Sequence, residues 1–73
     1  MNLQNKLKEI RQQKNLTQEN LALAIGVTRQ TIIAIEQAKF VPSVKLALEL
    51  ATALAVPFQT LFWLEESRGD NHG

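Results

Sequence analysis

Gly26 stands alone in the middle of the chain, and Thr28 follows it after a single residue. Glycine enters the left-handed backbone region without the steric cost that other residues meet, so it ends helices. Threonine starts them, because its hydroxyl accepts an N–H that the first helical turn leaves free. A second threonine, Thr17, lies upstream, with Leu21, Ala22 and Ile25 at helical spacing between it and Gly26. Glu19 falls where the positive end of a helix dipole favours a carboxylate. Thr17 to Gly26 therefore predicts a helix of about two turns. Thr28 starts another at once, with Ile32 and Ile35 on its inner face, and it fades near Ala38.

Two short helices joined through a glycine turn match the helix-turn-helix unit. The other segments also read as helices. Leu3, Leu7 and Ile10 are spaced for one face of an amphipathic helix over residues 3–14, which Asn15 ends. Phe40, Val41 and Pro42 form a loop, and Ser43 caps a fourth helix built on Leu46, Ala47, Leu50, Ala51 and Leu54. Pro57 is tolerated in a first turn and opens a short fifth helix, where Phe58, Leu61, Phe62 and Trp63 put most of the aromatic mass in the final element. From Glu66 onward the apolar periodicity stops. The expectation is an all-α fold, with one domain over residues 1–65 and a flexible tail over 66–73.

A chain of 73 residues without cysteine has no disulfides or thiolate sites and must rely on well-packed helices. Its one histidine, His72, follows a polar run near the end, which removes the usual general base and leaves no metal cluster. Ser43 and Ser67 have no base nearby in sequence, and Gly26, Gly69 and Gly73 are too scattered to cradle a phosphate. No enzymatic activity, metal or cofactor is expected. The richest apolar segment, Leu46 to Val56, contains Glu49 and is too short to span a membrane. The polar N-terminus is no secretory signal, so a cytoplasmic protein is expected. The net charge of +1 hides an asymmetry. Residues 1–45 carry seven Lys/Arg against three Glu, whereas residues 46–73 carry one Arg against three Glu and one Asp. A basic front and an acidic back suggest a polyanion on one face.

The helix after Gly26 begins Thr28-Arg29-Gln30-Thr31, without a carboxylate. That suits an end facing phosphates and electron-rich base edges. Arg29 can pair bidentately with guanine and Gln30 with adenine, while the Thr28 and Thr31 methyls suit thymine. Ala34, one turn on, permits close approach. The same residues would also make an ordinary solvated face, and composition does not separate the two.

Leu16-Thr17-Gln18-Glu19-Asn20-Leu21-Ala22, followed by Gly26-Val27-Thr28-Arg29-Gln30-Thr31-Ile32, resembles the phage repressor–Cro (xenobiotic response element) helix-turn-helix family. The resemblance continues through Ile35-Glu36, Lys39, Pro42-Ser43 and the Leu46 to Val56 helix, and is closest to the small stand-alone members. It implies a five-helix, repressor-like DNA-binding bundle whose second and third helices form the reader. In some relatives a short antiparallel strand pair joins the termini, here Asn2 to Gln4 and Trp63 to Glu65. Base contacts would fall to Thr28, Arg29, Gln30, Thr31 and Ala34. Gln18 would touch a phosphate and help orient Gln30, while Thr17 beside it would serve chiefly as the cap. Gln37, Lys39, Ser43 and Lys45 would meet the backbone from the following loop and helix start. Arg11 and Glu36 match a structural pair that holds the reader's angle. Asn20 stands where many members have Glu, and Gln37-Ala38 replaces the common Asn-Gly, so Ala38 would be strained if it turned left-handed.

One reader helix spans only a few base pairs, so two-fold pairing would raise both affinity and specificity. Phe58, Phe62, Trp63 and Leu64 supply the expected dimer surface. The sequence thus points to a sequence-specific, homodimeric, double-stranded-DNA-binding transcription regulator, a repressor on an inverted-repeat operator. An alternative is a protein-interaction module, such as an antitoxin or anti-regulator, docking through the C-terminal apolar surface. No insert suggests a small-molecule ligand.

Overall fold

The computed structural model describes residues 1–66. The tail expected over 66–73 lies, apart from Glu66, outside the described residues. Elements follow the order β1 (Asn2–Asn5), α1 (Leu7–Gln13), α2 (Gln18–Ile25), α3 (Arg29–Glu36), α4 (Val44–Leu54), α5 (Phe58–Leu61) and β2 (Phe62–Glu65).

Three helices start where the sequence says they should. Thr17, Thr28 and Ser43 each sit in extended backbone and accept an N–H three residues on, from Asn20 (2.9 Å), Thr31 (3.2 Å) and Leu46 (3.1 Å). Each cap satisfies a donor that the first turn leaves unpaired. The Thr17 hydroxyl also donates to the Asn20 side-chain Oδ1, so Asn20 supports the cap although it does not form the capping box that Glu would make there.

Helix ends follow one rule as well. Asn15, Gly26, Ala38 and Ala55 all take a positive φ, between 57° and 75°. The next residue donates back across the turn each time: Leu16 to Arg11, Val27 to Ala22, Lys39 to Ala34 and Val56 to Ala51, at 2.9–3.1 Å. This is the Schellman closure, in which the residue beyond the turn folds onto the helix. Leu16, Val27 and Val56 duly pack against the core. Lys39 is the exception and stays exposed. Ala38 and Ala55 hold a conformation that costs an alanine roughly 1–2 kcal/mol, partly offset by the extra freedom glycine has when unfolded. Ala38→Gly is therefore expected to stabilise the fold by about 0.5–1 kcal/mol, read as a higher urea midpoint at unchanged slope. An unchanged midpoint would mean that Ala38 is not strained.

The core gathers Leu7 and Ile10 of α1, Leu21 and Ala22 of α2, Ile32 and Ile35 of α3, with four residues of α4, Leu61 and Phe62. Helix α2 packs on both α3 and α4, which fixes the reader against the longest helix.

The first helix departs from its expected span. Residues 2–5 form a strand, and the helix begins only at Leu7. Strand β1 pairs antiparallel with β2, matching Asn2 with Glu65, Leu3 with Leu64, Gln4 with Trp63 and Asn5 with Phe62. The pair that joins the termini thus runs one residue further inward on each strand than expected. Phe62 also belongs to β2 rather than to the fifth helix. Asn5 makes the switch: its Oδ1 accepts from Leu7 N–H and its Nδ2 donates to the Ile35 carbonyl, both at 3.0 Å. The observed fold is therefore five helices with a two-stranded sheet.

Candidate nucleic-acid interface

Helix α3 turns Ile32 and Ile35 into the core, which leaves its opposite face outward. Thr28, Arg29 and Gln30 are exposed, and Thr31 and Ala34 half-buried. The first turn holds no acidic residue. Thr28 Oγ1 lies 3.1 Å from Thr31 Oγ1 as well as accepting the Thr31 N–H, so the two hydroxyls form one capped pair. The five expected base-contact residues are thus brought together on the start and outer side of one helix.

At the start of α2, Thr17 is exposed and Gln18 half-buried. The Gln18 side-chain Nε2 donates to Glu36 Oε1 at 3.1 Å. Glu36 also holds Arg11, whose Nε lies 2.6 Å from Oε2 and whose Nη2 lies 3.4 Å from Oε1. Arg11 Nη1 donates to the Leu16 carbonyl at 2.8 Å, so the guanidinium grips the chain entering α2. The expected Arg11–Glu36 pair is present, with only 9% and 4% of the two side chains exposed. It ties α1, the start of α2 and the end of α3 together.

The residues after α3 are arranged less uniformly. Gln37 and Lys39 are exposed, and Lys39 is held outward by the turn at Ala38. Ser43 spends its hydroxyl on the Leu46 N–H. Lys45 is engaged along its own helix, with Nζ 2.8 Å from Glu49 Oε2. Sequence reasoning passed over Asn5, which fastens β1 to the last turn of α3. Its one visible signal is an asparagine two residues before the first buried leucine.

At the C-terminal end Phe58, Trp63 and Leu64 are exposed, Leu64 most of all at 62%. Phe62 must be taken off the expected dimer surface. It is buried in the core, its ring 5.8 Å from that of Phe58. The pairing of Phe62 with Asn5 draws it inward beside Leu61. No helix among the described residues is long and apolar enough to cross a membrane.

A family model described as helix-turn-helix matches residues 7–61, which span α1 through α5. The chain belongs to the xenobiotic-response-element type of helix-turn-helix family. Within that family it is similar to an uncharacterized HTH-type transcriptional regulator of Bacillus subtilis, 45% identical over 64 residues, covering 88% of this chain and 97% of that one. A second such regulator, of Methanocaldococcus jannaschii, is 50% identical with the same coverage of both chains. Among solved structures it is similar to the restriction-modification controller protein C.AhdI of Aeromonas hydrophila, with 35% identity, a TM-score of 0.70, and 74% and 78% of the two chains covered. A candidate DNA-binding protein of Bacteroides fragilis matches with 27% identity and a TM-score of 0.77, over 82% of this chain and 97% of that one.

Proposed function

We propose that this helix-turn-helix protein is a sequence-specific transcription regulator of the cytoplasm. It reads double-stranded DNA with α3 in the major groove and acts as a repressor, two copies occupying an inverted repeat and excluding polymerase sterically. The observation that carries the reading is the start of α3. Arg29 and Gln30 stand exposed there beside capped Thr28 and Thr31, with no carboxylate in the first turn. Donors and an acceptor at a helix N-terminus are what major-groove readout requires. The similarity to HTH-type transcriptional regulators and to a restriction-modification controller protein supports the same reading.

Gln18 and Lys39 serve as phosphate contacts that set the register, and Gln37, Ser43 and the Thr17 end of α2 add weaker ones. Lys45 is the least suited, because Glu49 already neutralises it. Phe58, Trp63 and Leu64 form the partner surface of the dimer, with apolar area left open on one end of the molecule.

Selection from a random duplex pool at physiological salt should enrich an inverted repeat whose half-sites lie about one helical turn apart. Arg29→Ala should then cost roughly 1–3 kcal/mol at one half-site position and relax the preference there. Lys39→Ala should weaken all sequences alike and reduce the salt slope by about one unit. An unchanged preference in Arg29→Ala would refute base readout by that residue. A flat selection profile together with a stoichiometric co-purifying protein would move the function to the exposed Trp63-Leu64 strand as a docking surface.

A further inference from the structure

We infer that Asn5 is a positioning residue for operator binding. It fastens the reading helix to the sheet that carries the partner surface, and so holds the two readers of a dimer in register. The inference rests on the dimeric DNA-reading function proposed above. Asn5 stands opposite Phe62, one pair inward from Trp63 and two from Leu64. Its half-buried amide is divided between two helices. Oδ1 accepts the Leu7 N–H at the start of α1, and Nδ2 donates to the Ile35 carbonyl in the last turn of α3, each at 3.0 Å. That carbonyl is among those a helix end leaves without an intrahelical partner. The Ala38 N–H takes one of its lone pairs at 2.9 Å, and Asn5 takes the other. The Lys6 N–H, next along the chain, donates to the Leu61 carbonyl at 3.0 Å, so the end of β1 is itself held.

Among the described residues, the bond from Asn5 to Ile35 is the only hydrogen bond between the sheet and α3. Arg11 and Glu36 orient α3 against α1 and the start of α2, and their bonds do not reach the strands. Ile32 and Ile35 bury their side chains in the core, but apolar burial is non-directional and sets no angle. A hydrogen bond does set one. Arg29 lies six residues before Ile35, about 9 Å along the axis, so a pivot of about 10° at Ile35 moves it by about 1.6 Å. Base-edge hydrogen bonds do not survive such a shift. One copy alone absorbs the error, because the whole protein can move on the duplex. Two copies joined through Trp63 and Leu64 cannot, because each correction carries the other reader off its half-site. Asn5 therefore acts on the joint fit of two readers and not on the fit of either one.

The test compares affinities of the full chain for its selected inverted repeat and for a duplex that keeps one half-site and scrambles the other. The wild type should prefer the full site by about a hundredfold or more. Asn5→Asp keeps an acceptor for Leu7 but offers the Ile35 carbonyl no donor. It should lose about tenfold on the full site, where one bond is missing in each copy, and less than about twofold on the half-site. A loss as large on the half-site, or no loss on either duplex, overturns the inference and leaves the DNA-reading function standing. Sedimentation at the assay concentration should give both proteins the same oligomeric state. A variant that has dissociated assigns the loss to the partner surface and overturns the inference. A wild type that binds both duplexes equally overturns the dimer and the inference together. Should Asn5→Asp not fold by circular dichroism, Asn5→Ser replaces it, since its hydroxyl accepts from Leu7 but is too short to reach Ile35. If neither folds, Asn5 is structural alone and the inference falls.

Discussion

Arg11→Ala is expected to lower the unfolding free energy by about 3–5 kcal/mol, the cost of stranding a buried charge. The partner left behind is Glu36, whose side chain is only 4% exposed, and the Leu16 carbonyl loses its donor as well. A chain of this size has a total stability of only ~4–11 kcal/mol, so the variant gives up a large fraction of it and should unfold at a much lower urea concentration. The exposed Lys45–Glu49 pair has nearly the same separation, 2.8 Å, but 83% and 41% of its side chains face water. Its removal should cost only about 0.3–0.5 kcal/mol. Burial, not distance, decides between the two. Replacing both buried partners, as Arg11→Met with Glu36→Met, should be less destabilising than Arg11→Met alone, because no charge is then left without a counterpart. Urea unfolding followed by circular dichroism measures all four variants. A loss below about 1 kcal/mol in Arg11→Ala would show that water reaches Glu36, and the clamp on the reader would have to be abandoned.

Local rules made the reader legible in the sequence, and non-local ones hid the rest. Thr17, Thr28 and Ser43 announced three helix starts because a cap uses only its own residue and the next turn. Gly26 and Asn15 announced two helix ends for the same reason. Ala38 and Ala55 close helices in the same left-handed form, yet alanine carries no preference for it. Ala38 was suspect only because the family commonly has Gly there, and Ala55 gave no sign at all. There the closure is imposed by Val56 packing against the core. Leu3 misled because its spacing from Leu7 and Ile10 is helical, whereas its real partner is Leu64 at the other end of the chain. A pairing over that separation leaves no trace in local periodicity. Only the resemblance to relatives raised it. The site divides in the same way. The exposure of Arg29 and Gln30 follows from Ile32 and Ile35 facing inward, and that pattern is readable. The bond from Gln18 to Glu36 joins two helices and is not.

Leu50→Ala is the other large effect, expected to cost about 2–5 kcal/mol. Leu50 is fully buried on α4, the helix against which α2 packs, among Ala47, Ala51 and Leu54 on its inward face. Small neighbours such as Ala47 and Ala51 cannot swing into the space it leaves, so the upper part of that range applies. Leu48→Ala supplies the contrast on the same helix. Leu48 is 49% exposed and its truncation should cost only about 1 kcal/mol, since about half as much area leaves water there on folding and no enclosed cavity is left. The effect should reach the reader, because α2 is held against α4 on one side and α3 on the other. Trp63, the one tryptophan, lies on β2 and reports the sheet by fluorescence, while circular dichroism reports the helices. Coincident transitions by the two probes would mark sheet and bundle as one cooperative unit, with both shifted alike by Leu50→Ala. If only the helical signal moves, the strand pair melts on its own, and the two termini are not held by the core that positions α3.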